Sequence, residues 1–232
     1  MKDLWIIGSG EGTLAETIYK ETSRIDYGAT LHTGVGEVDI TNPYEIREHL
    51  NYLSGWQPGL DQLDIVYCAG FNRLAPLGKV QNFDLNHTFD VNVKGFIWLL
   101  DAIAATAVIP KANIVAIVSD AARTAMRTSI AYCASKAALA HAVKCGAREL
   151  APQHRVNGVS PSVIAATPMT QYVDEQVQKL RGWTHREALD YESSLVPMKT
   201  RVTKDQVAQV VKSTLDGPWF QTGAIIDITG GK

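Results

Sequence analysis

Leu4-Trp5-Ile6-Ile7 runs into Gly8-Ser9-Gly10-Glu11-Gly12, and then into an amphipathic segment over residues 13–23. The reading of this stretch decides the fold. The apolar run has the length of a buried strand, and Leu14, Ala15 and Ile18 share one face of a helix. Strand, glycine turn and helix in that order make a phosphate site. Glycines let backbone amides approach a pyrophosphate, and the helix N-terminus adds favourable partial charge. A glycine cluster also suits a plain flexible turn, but its place directly after the first strand favours a nucleotide. Gly8, Ser9, Gly10, Glu11, Gly12 and Thr13 are therefore expected to contact a cofactor.

Residues 29–33 and 37–41 both read as strand, with Gly34-Val35-Gly36 between them. Neighbouring parallel strands need a crossover of about a dozen residues or more. One βα unit is therefore expected to be missing near residues 29–41, with the sheet losing an edge strand or keeping a remnant of one. Beyond it, residues 43–53 form a helix with proline in the first turn. Residues 64–68 form a buried strand that ends at Ala69-Gly70. A long helix spans 85–107, a strand 113–119 and a helix 131–150. A further strand covers 155–160 and closes on Pro161-Ser162. Residues 167–196 are polar and poorly periodic, with one or two short helices, and residues 167–200 are expected to cover the substrate. A helix at 204–215 and a strand at 223–229 complete the chain. Alternating strands and helices predict one α/β domain over residues 1–232: a single Rossmann-like, doubly wound, mostly parallel sheet with helices on both faces.

The 232 residues suit one large domain. A net charge of −2, with no long run of either sign, offers little to nucleic acid or a charged membrane surface. No apolar run approaches the ~20 residues of a membrane span. The first apolar run breaks at Gly8, too soon for a signal-peptide core. Cys68, Cys133 and Cys145 lack metal-ligand spacing, and their odd number does not suggest a disulfide framework. A cytoplasmic protein without a metal site is expected.

The chemistry gathers in Ser119 to Lys136, S-D-A-A-R-T-A-M-R-T-S-I-A-Y-C-A-S-K. Tyr132 and Lys136 stand one helical turn apart, so their side chains stack on one face. A phenol has a pKa of about 10. A neighbouring cation favours the phenolate and brings that value towards the range where acid–base catalysis is efficient. Ser119 ends an apolar strand, where a parallel sheet delivers side chains to its carboxyl edge. A tyrosine and lysine at this spacing also occur on ordinary solvated helix faces. The serine at the strand end sets this pair apart.

Together these residues resemble the short-chain dehydrogenase/reductase family over essentially the whole chain. The resemblance rests on Ser119, Tyr132 and Lys136 in order, on Asn92-Val93-Lys94-Gly95 in the preceding helix, on Pro161 and Thr167-Pro168, and on the closing glycines of residues 223–231. It implies hydride transfer between NAD or NADP and a small alcohol or carbonyl substrate. Tyr132 would be the acid or base on the substrate oxygen, and Ser119 would hold that oxygen. Lys136 would lower the tyrosine's pKa and bind the nicotinamide ribose. Asn92 would hold a water linking Lys136 to solvent; its bland reading is a polar side chain satisfied by backbone. Asp39 and Ile40 match the adenine contact, and Cys68, Ala69, Gly70, Tyr132, Lys136, Pro161, Val163 and Thr167 complete the expected cofactor set. Relatives commonly pair their long helices, so a homo-oligomer, dimer or tetramer, is implied; Ala134, Ala137, Ala138 and Ala142 would allow close approach.

The chain departs from the family pattern in its first half. Ile7 replaces a threonine, Leu14 stands where the last glycine is expected, and Cys68 replaces an asparagine. His32-Thr33-Gly34 offers neither the acid that binds an adenosine ribose nor an arginine for a phosphate. Glu11 sits where phosphate-binding relatives carry a base, which favours NAD over NADP. Arg123 and Arg127 are candidates for a substrate carboxylate, with solvated surface arginines as the preferred reading. Trp183, His185 and Tyr191 either contact substrate as a lid or pack their own segment down. Two other functions compete. One is a redox sensor that binds the cofactor without turnover. The other is an S-adenosylmethionine-dependent methyltransferase, which would leave Ser119, Tyr132 and Lys136 without a role.

Overall fold

A computed structural model describes residues 2–9, 11–22, 29–34, 38–56 and 59–232. Six parallel strands form one sheet: β1 (Lys2–Ser9), β2 (Ala29–Gly34), β3 (Gln62–Tyr67), β4 (Ala112–Ile117), β5 (Arg155–Pro161) and β6 (Ile225–Ile228). Their spatial order is β2-β1-β3-β4-β5-β6. The chain runs outward from β1 to β2, then returns across β1 to β3 and continues the other way. That reversal between β1 and β3 is where open α/β sheets bind ligands, outside the carboxyl ends of the strands.

Strand alternation sends successive side chains to opposite faces, and both faces are apolar because both are covered. Trp5 and Ile7 of β1, Ile65 and Tyr67 of β3, and Ile114 and Ala116 of β4 enter one core. That core also takes residues of α2 (Pro43–Trp56), α4 (Gly95–Ala105) and α5 (Ile130–Leu150). Leu4 and Ile6, Val66, and Val115 and Ile117 enter the other core. There they meet α1 (Leu14–Thr22) and α8 (Lys204–Leu215). Each fully buried Leu, Ile or Phe side chain contributes about 1.5–3 kcal/mol. The helices are thereby fixed on both faces, as the doubly wound expectation required.

β2 leads to α2 with no further strand among the described residues between them. The missing unit is thus borne out, and β2 is the edge strand on that side, opposite β6. The second candidate strand is corrected. Residues 35–37 lie outside the described residues, and Val38 to Thr41 form a turn rather than a strand. Asp39 accepts hydrogen bonds from the Thr41 amide at 2.8 Å and the Thr41 hydroxyl at 2.7 Å, an Asx-type turn.

The long helix expected over 85–107 is also corrected. It starts earlier, as α3 (Asn82–Phe89), passes through a π-helical turn at Asp90–Lys94, and continues as α4. Such turns insert an extra residue and shift the hydrogen-bond pattern. Here the Val91 carbonyl accepts the buried Tyr67 hydroxyl at 2.6 Å. Gly95 permits this close packing, because a Cβ there would lie 2.5 Å from that hydroxyl and 2.8 Å from the Ile40 carbonyl. The polar segment after Thr167 holds two helices, α6 (Pro168–Arg181) and α7 (His185–Ser194).

Candidate active site

β4 ends at Ile117, and the chain turns through Val118 and Ser119 into a short 3-10 turn at Asp120–Ala122. Ser119 caps that turn, accepting the Ala121 amide at 3.2 Å. α5 then carries Tyr132 and Lys136 past the same strand end. The Lys136 ammonium lies 5.7 Å from the Tyr132 ring centroid. Ser119 lies close enough to the tyrosine to favour its ionised form. The expected serine, tyrosine and lysine therefore converge, although the first and last stand 17 positions apart in the chain.

The electrostatics differ from the sequence expectation. Burial pushes the Tyr132 phenol up to about 12, with Ser119 opposing it and the nearby Asp120 carboxylate adding to it. Lys136 does not pull the value below its ordinary one. Its ammonium donates to the Ile117 carbonyl at 2.8 Å, and burial lowers its own pKa to about 8. Burial is the largest influence on both groups. Cys68 is affected too: burial raises its thiol to about 12, with the Lys136 charge opposing.

Asn92 sits on the π-helical turn with its side chain fully buried. Its Oδ1 accepts the Phe71 amide at 2.7 Å, and its Nδ2 donates to the Phe71 carbonyl and the Ser135 hydroxyl, each at 2.9 Å. Ser135 donates in turn to the Tyr132 carbonyl at 2.8 Å. The side chain is thus satisfied largely by backbone, the bland alternative for this residue, and pins the loop after β3 to α5. Gly70 lies in the same corner, where a Cβ would come 3.7 Å from Lys136 Nζ and 3.8 Å from Asn92 Oδ1.

A cleft of about 1010 Å³ runs over these strand ends. Of the expected cofactor set, Gly8, Thr13, Asp39, Ile40, Cys68, Ala69, Gly70, Tyr132, Lys136, Pro161, Val163 and Thr167 line it. Gly10 lies outside the described residues. The Ser9 side chain likewise lies outside the described residues, and Glu11 and Gly12 are not among the described lining residues. Sequence reasoning missed Glu45, His87, Met126 and Met169, which reach the cleft from α2, α3, the loop before α5, and α6. No local pattern marks them, since tertiary packing alone aims them there.

The glycine turn has partners of its own. Gly8 has φ +87°, and a Cβ there would meet the Ala69 backbone at 2.6 Å, so glycine is required. The Gly12 amide donates to Glu16 Oε2 at 2.8 Å. The Gly12 carbonyl accepts Lys204 Nζ at 2.9 Å. Leu14 and Ala15 line the cleft beside it. Thr167 caps α6 by accepting the Thr170 amide at 3.1 Å.

Two open readings of the substrate side narrow, the arginines in the direction already preferred. Arg123 is bound bidentately to Asp227 on β6, with one arm at 2.8 Å, so it is not free for a carboxylate, and Arg127 does not line the cleft. Trp183 and Tyr191 pack together at 5.0 Å with the Arg181 guanidinium over both rings. Together with His185, which meets Gln178 at 3.5 Å, they hold their own segment down. Among the described residues no cluster of side chains suits a metal ion, and no helix is long and apolar enough to cross a membrane.

A family model described as enoyl-(acyl carrier protein) reductase, a short-chain dehydrogenase model, matches residues 15–232. The chain is 34% identical over 60% of its length to a vibriobactin-specific 2,3-dihydro-2,3-dihydroxybenzoate dehydrogenase of Vibrio cholerae, covering 53% of that protein. It is 31% identical over 72% of its length to an L-xylulose reductase of Caenorhabditis elegans, covering 64% of it. The matches thus span between half and two thirds of these relatives. Among solved structures, sorbitol-6-phosphate 2-dehydrogenase from Erwinia amylovora superposes with a TM-score of 0.85 at 19% identity, covering 100% of this chain and 98% of that one. The protein ElxO, solved with NADP bound, gives 0.81 at 21%, covering 99% and 97%. Ordered motifs, sheet order and these matches agree, and the chain belongs to the short-chain dehydrogenase/reductase family.

Proposed function

We propose that the chain is an oxidoreductase acting on an alcohol or carbonyl carbon with a nicotinamide cofactor. The observation that carries this reading is the meeting of Ser119, Tyr132 and Lys136 at one strand end beneath a cleft at the switch point. In this reading the Tyr132 hydroxyl gives or takes the proton on the substrate oxygen, and Ser119 holds that oxygen. Lys136 supplies charge beside the phenol, and Asn92 fixes the loop and helix around it. The residues fit a dinucleotide, because the cleft extends from Thr13 and Leu14 to Thr167 and Gly70 leaves room beside Lys136. When bound, the cofactor supplies or accepts the hydride; the protein supplies position and proton transfer.

NAD is the better partner in this reading. Asp39 and Glu45 line the cleft, and Glu11 is exposed beside the glycine turn. Carboxylates at that end oppose an added phosphate. The substrate is uncharged: Phe71, Val91, Met126, Met169 and Val173 line the cleft, and among the described lining residues Lys136 is the one lysine or arginine. We also propose a homo-oligomer paired through α4 and α5, where Ile97 and Trp98 are 45% and 38% exposed. A monomer by light scattering would remove that assembly.

The test is a titration with NADH and NADPH followed by reduced-nicotinamide fluorescence, and then an alcohol and ketone screen with Tyr132→Phe as control. Saturable binding, tighter for NADH, with turnover lost in Tyr132→Phe, is the expected outcome. Absence of binding to either overturns the reading. A sensor of the same fold, which binds the cofactor without turnover, is the alternative that the same control separates. A sensor's binding response would survive Tyr132→Phe. The methyltransferase alternative gives the convergent serine, tyrosine and lysine no work and is dropped.

A further inference from the structure

Asp120 follows Ser119 directly, and its side chain is 3% exposed. The carboxylate is flanked on two sides. Oδ1 lies 3.4 Å from the Ser119 hydroxyl, and Oδ2 accepts Lys232 Nζ at 3.0 Å. Lys232 comes from the segment after β6, beyond the left-handed pair Gly230 and Gly231. Its own side chain is 14% exposed. An enclosed carboxylate beside a hydroxyl and a phenol is costly unless a cation meets it. Here that cation arrives from 112 residues away in the sequence.

The other charged groups nearby have partners of their own. Arg123 feels Asp120 but is bound bidentately to Asp227. Glu192 of α7 feels Lys232, yet it is held by Arg201, which also grips Asp174 of α6 at 2.7 and 2.9 Å. On the site side Asp120 meets the Ser119 hydroxyl, and its charge, together with Cys133, acts against ionisation of the Tyr132 phenol. Lys232 is therefore the partner that balances the charge nearest the two hydroxyls.

We propose that Lys232 is a positioning residue that, through Asp120, orients the Ser119 hydroxyl and sets the charge facing Tyr132. This rests on the proposed role of Tyr132 as acid–base group. Lys232 touches neither hydroxyl itself. Without it, the Asp120 carboxylate either stays uncompensated beside the phenol or turns towards Ser119. Either outcome alters the group on which proton transfer depends.

Four variants test it: Lys232→Met, Lys232→Arg, Asp120→Asn and the Lys232→Met/Asp120→Asn double. In Lys232→Met the ascending, acid-side limb of the oxidation pH profile moves up by about one pH unit, with an approximately tenfold lower rate at neutral pH. Lys232→Arg stays within about twofold of the parent, because the cation is kept. The double variant recovers to within about threefold of Asp120→Asn, because no buried carboxylate remains to be balanced. A Lys232→Met profile that overlays the parent's overturns the proposal. So does a loss that Asp120→Asn fails to repair, since a simple tether would be broken equally in both.

A measurement without turnover separates this from the reading it rests on. Ultraviolet difference titration against Tyr132→Phe isolates the Tyr132 phenolate. Asp120→Asn lowers its midpoint and Lys232→Met raises it if the coupling exists, whether or not the protein proves to be an enzyme. Unchanged midpoints overturn the coupling. An active Tyr132→Phe overturns only the catalytic role of the tyrosine.

Discussion

Two buried cations stand at opposite ends of the sheet, and their surroundings differ. Arg155 opens β5 at the amino end and is 1% exposed. It donates to Asn113 Oδ1 at 2.7 Å and to the carbonyls of Gly217 at 2.6 Å, Pro218 at 2.7 Å and Leu215 at 3.2 Å, as well as to that of Thr214. The Thr214 and Leu215 carbonyls close α8, where the helix dipole favours positive charge, and the other two lie just beyond it. Lys136, at the carboxyl end and 3% exposed, has one hydrogen bond among the described residues, to Ile117. Arg155 is over-supplied with acceptors and acts as structure. Lys136 is under-supplied, and burial draws its pKa down to about 8. The fold spends its polar groups on stability at one end and leaves them unbalanced at the other, where a ligand can complete them.

The largest expected break in this comparison is Tyr132→Phe. Removing the hydroxyl should lower turnover by about 10²–10⁴-fold, with a melting temperature close to the parent's. A large drop in stability instead would make Tyr132 a structural residue like Arg155.

Arg155→Met should do the reverse. It strands several buried carbonyls and should cost about 3–5 kcal/mol in urea unfolding, while kcat/KM of the remaining folded protein is unchanged. A selective loss of kcat/KM would erase the distinction between the two ends.

Lys136→Met sharpens the contrast through pH. The folded-state pKa of Lys136 lies below its ordinary 10.5, at about 8. Between those values the unfolded chain binds the extra proton, so the parent gains stability as pH rises through that window. At about 1.4 kcal/mol per pH unit, the gain is roughly 3 kcal/mol across it. Lys136→Met should lack that rise, which paired denaturant titrations would detect. Parallel stability curves for parent and variant would mean the ammonium is better solvated than its surroundings imply.

The smallest effect is expected far from either cation. Thr203→Ala removes a capping box in which Thr203 accepts the Gln206 amide at 3.2 Å and its own amide reaches Gln206 Oε1 at 2.9 Å. A loss of about 1 kcal/mol follows, with no change in turnover. Altered kinetics would show that α8 reports to the site.

Much of this was legible in the chain because the governing signals are short. α8 reads correctly over residues 204–215 because its apolar spacing and cap lie within a few residues of one another. The missing βα unit was readable because a three-residue connection cannot span a parallel crossover. Ser119, Tyr132 and Lys136 were readable because a strand end and one helical turn fix where they go. The π-helical turn under Asn92 was not legible, since it answers to Tyr67 and Ile40, which come from elsewhere in the chain. Arg155 reads as an ordinary charge at the start of a strand until α8 is placed against it.

The sequence by itself determined the alternation of strands and helices, the family, and the residues that meet at the carboxyl edge of β4, because each rests on periodicity or on separations of a few residues. The tertiary structure alone decided their charge balance. It took Arg123 away to Asp227, gave the Gly12 amide to Glu16, and raised the Tyr132 phenol where a neighbouring lysine was expected to lower it. It also brought Lys232 to Asp120. Burial and long-range pairing set these outcomes, and both depend on how much water the assembled fold excludes, which no local pattern of residues encodes.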